Sequence, residues 1–146
     1  MAELTEEKDI LLAEDDMEDV QIFQAAMGEL DIPHILRHAH NGESLFILLG
    51  DRVPHILFLD IDMPCKDGMA CIKEIRQNKA YDHLPVIMYT SHLHEKIIEE
   101  SFRNGANLFL TKAHTFNELV GKMRKIFDID WKNYMHYPSR GNFVVN

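Results

Sequence analysis

Apolar and polar positions divide this chain into short, unbroken apolar runs that alternate with longer stretches in which apolar residues recur every three or four positions. The unbroken runs are Ile10, Leu11, Leu12 and Ala13; Ile56, Leu57, Phe58 and Leu59; Val86, Ile87, Met88 and Tyr89 after Pro85; and Leu108, Phe109 and Leu110. Runs of this length, closed by an acid, a hydroxyl or a lysine, predict strands buried on both faces, as a parallel sheet requires. Residues 32–40 predict a further strand, less apolar and therefore at an edge. The periodic stretches predict five helices. Val20, Phe23, Met27 and Leu30 form the first stripe, with Asp16, Glu18 and Asp19 at the positive helix end. Asn41-Gly42 opens a second helix bearing Leu45, Leu48 and Leu49, with Gly50 at its end. Met69, Ile72 and Ile75 mark the third. Ile97, Ile98 and Phe102 mark the fourth, over 95–103, which stops at Asn104-Gly105. The fifth begins at a capping box, Thr115 to Glu118, and carries Leu119, Val120, Met123, Ile126 and Phe127. Five strands alternating with five helices predict an α/β fold, a doubly wound parallel sheet with right-handed crossovers. Residues 1–8 stand outside this pattern as an N-terminal extension, 9–130 form one domain, and 131–146 form a tail with Trp131, Tyr134, Tyr137 and Phe143 among Pro138, Ser139, Arg140 and Gly141.

Each buried strand ends in a chemically distinct group: Glu14 and Asp15 after the first, Asp60 after the central one, Thr90 at the end of the fourth and Lys112 after the fifth. Strand ends of open α/β sheets are where ligands bind, because loops there carry polar groups over a rigid scaffold. The segment Asp60-x-Asp62-Met63-Pro64-x-x-Asp67-Gly68, together with those three other strand ends in the same order, resembles the bacterial response-regulator receiver domain, over about residues 8–128. Within that family the resemblance is to small, single-domain regulators such as those paired with bacterial phytochromes.

The resemblance implies a flavodoxin-like five-stranded sheet in the order 2-1-3-4-5, which sets Asp15 and Asp60 at one rim. It implies that Asp60 accepts a phosphoryl group from a sensor histidine kinase or phosphotransfer protein, and that Asp15 and Asp60 bind Mg²⁺ directly. Glu14 supports the ion through water, and Asp62 contributes its backbone carbonyl. Thr90 and Lys112 contact the phosphoryl group, while Phe109 is an aromatic switch that turns inward after Thr90 moves. Converging carboxylates repel one another, which raises a pKa or binds a cation, and oxygen ligands with room for water suit Mg²⁺. One position departs from the family: a cis proline usually follows the lysine, and here Ala113 follows Lys112. A cis bond without proline costs about 3 kcal/mol, so a trans bond and a re-routed loop are expected.

Composition narrows the partners. At 146 residues there is room for one domain, and 46% hydrophobic with 27% charged residues excludes a disordered chain. A formal net charge of -9 opposes a phosphate backbone, so no direct DNA binding is expected. Cys65 and Cys71 read as reduced thiols of a cytoplasmic protein. No apolar run approaches the roughly 20 residues of a membrane span. His92 and His94 read as surface residues. A downstream protein target is expected at the face of the fourth helix, fifth strand and fifth helix, which also suits a homodimer. The tail aromatics suit either that interface or a strap packed on the chain's own domain.

Two rival functions fit parts of the pattern. A haloacid-dehalogenase-like phosphatase also ends a strand in Asp-x-Asp, yet its acidic metal pair follows the lysine, whereas Glu14 and Asp15 come first. A phosphate-independent interaction module has no need of the full set Glu14, Asp15, Asp60, Thr90 and Lys112.

Overall fold

The computed structural model describes residues 6–112, 115–131 and 137–146. Its strands are β1 (Lys8–Ala13), β2 (His34–Ala39), β3 (Ile56–Leu59), β4 (Val86–Thr90) and β5 (Leu108–Thr111), all parallel, in the order β2-β1-β3-β4-β5. The less apolar segment is an edge, and the fully apolar β3 is the centre. Between the strands run α1 (Met17–Leu30), α2 (Gly42–Asp51), α3 (Gly68–Gln77), α4 (Glu95–Arg103) and α5 (Phe116–Phe127).

The period-2 geometry of a strand sorts each run between two cores. Ile10, Leu12, Phe58, Ile87 and Tyr89 join Phe23 and Met27 of α1 and Met123 and Ile126 of α5. Leu11, Leu57, Leu59, Met88 and Phe109 join Leu45 and Leu49 of α2, Ile72 and Ile75 of α3, and Ile98 of α4. Phe23, near the middle of the first cluster, meets Phe58 and Tyr89 edge-on at 4.9 and 5.8 Å.

The predicted cap at Thr115 forms, and Asp16 and Asp67 cap their helices as well. Asp16 Oδ1 accepts the Glu18 and Asp19 amides, Asp67 Oδ1 accepts Ala70 N–H, and Thr115 Oγ1 accepts Glu118 N–H. One expected ending is corrected: α2 continues through Gly50 to Asp51 and is closed by an extended Arg52. The Arg52 guanidinium, 2.5 Å from Asp9 on β1, draws the chain out of the helix ahead of Pro54. Asn104-Gly105 does end α4, where Gly105 takes a φ of +91° that glycine adopts without strain.

The described end of the tail, residues 137–146, is a strap on its own domain. Phe143 is fully buried, 5.3 Å from Phe102 of α4 and 6.1 Å from Phe109 of β5, ring centre to ring centre. Phe109 N–H donates to Phe143 O at 3.0 Å, and Val145 N–H donates to Phe109 O at 2.9 Å, so both outward backbone groups of Phe109 are paired. Arg140 holds Glu99 at 2.8 Å and also Glu95, both on α4, and Lys125 of α5 donates to Asn146 O. Tyr134 and the Lys112–Ala113 peptide lie outside the described residues. Among those described, no helix is long and apolar enough to cross a membrane.

Candidate functional site

Backbone pairing brings the strand ends together before any side chain acts. Asp60 N–H donates to Ala13 O at 2.9 Å, Glu14 N–H to Ala39 O at 2.9 Å, and Lys112 N–H to Thr90 O at 2.8 Å. Glu14, Asp60, Thr90 and Lys112, remote in sequence, therefore share the carboxyl rim of β1, β3, β4 and β5. Gly68 closes the loop after β3: its N–H donates to Ile61 O at 2.8 Å, and a Cβ there would lie 2.2 Å from Asp60 O. No other residue fits so near the end of β3 without displacing it.

Glu14 is fully buried and Asp60 nearly so, while Asp15 is exposed. One carboxylate oxygen from each lies within 4.8 Å of the others. Glu14 Oε1 is buried with no hydrogen bond aligned on it; the Lys112 ammonium meets it as an ion pair at 2.6 Å. An oxygen-only donor set with a fully buried carboxylate and an open, exposed member fits a hard divalent cation such as Mg²⁺. Asp62 does not join this set through its side chain. It is exposed, paired with His92 Nε2 at 2.6 Å, and its N–H donates to Asp60 Oδ1 at 3.3 Å. His92 and His94 are exposed, as expected, with their rings stacked at 6.3 Å.

Burial pushes the Asp60 carboxyl up to about 8, and the hydrogen bond and charge of Glu14 push the same way; Lys112 and the Asp62 amide only partly offset them. Burial alone would favour neutral Lys112, but hydrogen bonds to Asp19 and Glu14 and the charge of Asp60 hold its pKa above the ordinary lysine value. The ammonium also stands 5.4 Å from the Tyr89 ring centre. Thr90 is buried, its Oγ1 accepting His92 N–H at 3.2 Å, and Phe109 is fully buried against the tail.

Asp19 is the neighbour that sequence reasoning did not place here. Its Oδ2 accepts a 2.8 Å hydrogen bond from Lys112, 93 positions away. In the sequence Asp19 reads only as an acid suiting the start of α1, and it is the fold that brings it to Lys112.

A doubly wound sheet whose carboxyl rim gathers an acid cluster, a buried hydroxyl and a lysine defines the class, and the chain belongs to the response regulator receiver domain family, whose model matches residues 10–124. Response regulator Rcp1 of Synechocystis sp. (strain ATCC 27184 / PCC 6803 / Kazusa) is 27% identical over 139 residues, 90% of this chain and 94% of Rcp1. Transcriptional regulatory protein CpxR of Klebsiella pneumoniae is 35% identical over 117 residues, 80% of this chain. The chain spans about half the length, 48%, of CpxR and likewise of transcriptional regulatory protein KdpE of Staphylococcus aureus. Among solved structures, the Mn²⁺-bound form of Rcp1 superposes with a TM-score of 0.76 at 26% identity, covering 90% of this chain and 99% of that one. Response regulator RPA3017 of R. palustris, in red light signaling, gives 0.76 at 27%, covering 90% and 96%. Proteins of this family are signalling proteins of two-component systems, so the phosphatase reading has no support here.

Proposed function

We propose that Asp60 is the phosphoacceptor of a two-component pathway, taking its phosphoryl group from a histidine of a sensor kinase or phosphotransfer protein in the cytoplasm. The observation that carries this reading is the nearly buried Asp60 carboxylate set against Glu14, Asp15 and Lys112 on one rim. An Asp60 oxygen attacks phosphorus in line with the P–N bond of the phosphohistidine. The new O–P bond forms as the P–N bond breaks, and the electron pair stays on the imidazole nitrogen, which then takes a proton from solvent.

Asp60 reacts as the carboxylate, so the proton that burial and Glu14 favour must leave first. Lys112, 3.8 Å from Asp60 Oδ2, offers its ammonium to the phosphoryl oxygens as negative charge accumulates. Mg²⁺ held by Asp15 and Asp60, with Glu14 behind them and the Asp62 carbonyl alongside, would neutralise charge on the transferring group. Thr90 donates its hydroxyl to the bound phosphoryl, and its displacement is felt at Phe109 one strand away. The altered state leaves through the face of α4, β5 and α5, to a downstream protein or to a second copy of the chain.

Incubating the protein with acetyl phosphate and Mg²⁺ should add one phosphoryl group, detected by intact mass, and Asp60→Asn should remove it. A wild type that gains no adduct, or a variant that gains it undiminished, would refute the assignment.

A further inference from the structure

We propose that Asp19 is a positioning residue for this reaction that restrains it, by competing with the phosphoryl group on Asp60 for the Lys112 ammonium. The inference rests on the reading of Asp60 as phosphoacceptor and concerns how readily that acceptor is charged.

Lys112 Nζ has three carboxylates in reach, and Asp60 is the farthest. It lies 2.6 Å from Glu14 Oε1, 2.8 Å from Asp19 Oδ2 and 3.8 Å from Asp60 Oδ2. To serve oxygens bound to Asp60, the ammonium has to leave a closer partner. The two competitors differ in kind. Glu14 belongs to the acid cluster that fits a cation, so a cation there compensates its charge without the lysine. Asp19 is outside that cluster and keeps its hold whether or not the cluster is filled.

Asp19 is also well placed to keep it. Its backbone is fixed in the first turn of α1, with its N–H donated to the Asp16 cap at 3.3 Å. Its carboxylate is partly buried, and the hydrogen bond it accepts from the ammonium is charge-assisted, among the stronger kinds. The ammonium also lies over the Tyr89 ring, 5.4 Å from its centre. The lysine is thus shared between a site that needs it and a carboxylate that does not react.

The test uses the full chain at saturating Mg²⁺, so that changes in cation affinity do not enter. Two quantities are measured: the rate of phosphorylation by acetyl phosphate, and the affinity for beryllofluoride by calorimetry, which reads the phosphoryl pocket without chemistry. Asp19→Asn should raise both about fivefold, the scale of losing one partly exposed charge-assisted bond. Asp19→Glu should return both to within about twofold of wild type. Glu18→Gln, which removes an exposed charge from the same turn, should leave both within about twofold and so separates competition from bulk charge. A competitive amine-labelling measurement should show Lys112 more reactive in Asp19→Asn and not in Glu18→Gln. If the wild type takes neither phosphoryl nor beryllofluoride, the acceptor reading itself fails. If it takes both, the role of Asp19 is overturned by an Asp19→Asn variant that is slower or unchanged, by an equal gain in Glu18→Gln, or by unaltered Lys112 labelling.

Discussion

Asp60 sets the electrostatic problem that its neighbours divide among themselves. Its carboxyl, ordinarily near 3.8, is pushed to about 8 by burial first and Glu14 second. Between those values the folded protein holds a proton that the unfolded chain releases. The contribution of this group to stability is therefore fully present below about pH 4 and is lost as pH rises through about 8. Urea unfolding in EDTA should show Asp60→Asn gaining on wild type steadily from pH 5 to pH 8, because asparagine has no proton to lose. A difference between the two that stays constant over this range would show Asp60 ionised throughout. The sequence makes the mutual repulsion of Glu14, Asp15 and Asp60 legible, since two strand ends supply them. It does not show how Lys112 is apportioned. Asp19 reads as an acid suiting a helix N-terminus, and only the closure of β5 beside α1 turns it into a partner of the lysine.

At the scale of elements, the sequence was most readable where burial is complete. β3 and β4 are buried at every position, and their unbroken apolar runs mark them within a residue. The end of α2 falls one residue past the glycine that the sequence offers to close it, and the ion pair that draws Arg52 away joins residues 43 apart, so no local pattern marks it. The strap was legible only as a choice between two readings. Phe143 opens an apolar run of three with Val144 and Val145, too short to predict a strand, and its burial depends on Phe102 and Phe109, which come from different elements. Phe143→Ala should cost between about 2 and about 4 kcal/mol in chemical unfolding, as expected for a fully buried aromatic ring whose end of the chain can partly refill the gap. The Phe109 and Val145 amides should lose hydrogen-exchange protection in the same variant. A cost under about 1 kcal/mol with protection intact would show that the backbone pairing, not the ring, holds the strap.

For the whole molecule, the strap decides what the second edge of the sheet presents. Without it, β5 offers the unpaired N–H and C=O of Phe109 beside the apolar surface of Phe102, a template for another chain. Removing it also strips Arg140 from Glu95 and Glu99, leaving α4 more acidic on a chain whose formal net charge is already -9. In the full chain the hydrogen bond from Arg140 is the leading cause holding the Glu99 carboxyl below its usual range, and truncation removes both that bond and the positive charge set against Glu95 and Glu99. Truncation after Asp130 therefore sets apolar and backbone attraction against charge repulsion. Salt separates the two, because at about 0.5 M the screening length falls to a few ångströms while burial of apolar surface is undiminished. The truncated protein should be largely monomeric at about 0.02 M salt and self-associate at about 0.5 M, while the full chain holds one oligomeric state across the range. Light scattering coupled to size exclusion reads both. A truncated chain that stays monomeric at high salt would show that the β5 edge and the Phe102 surface uncovered by removing the strap have no affinity for a second copy, so that covering them is not what keeps the full chain from pairing.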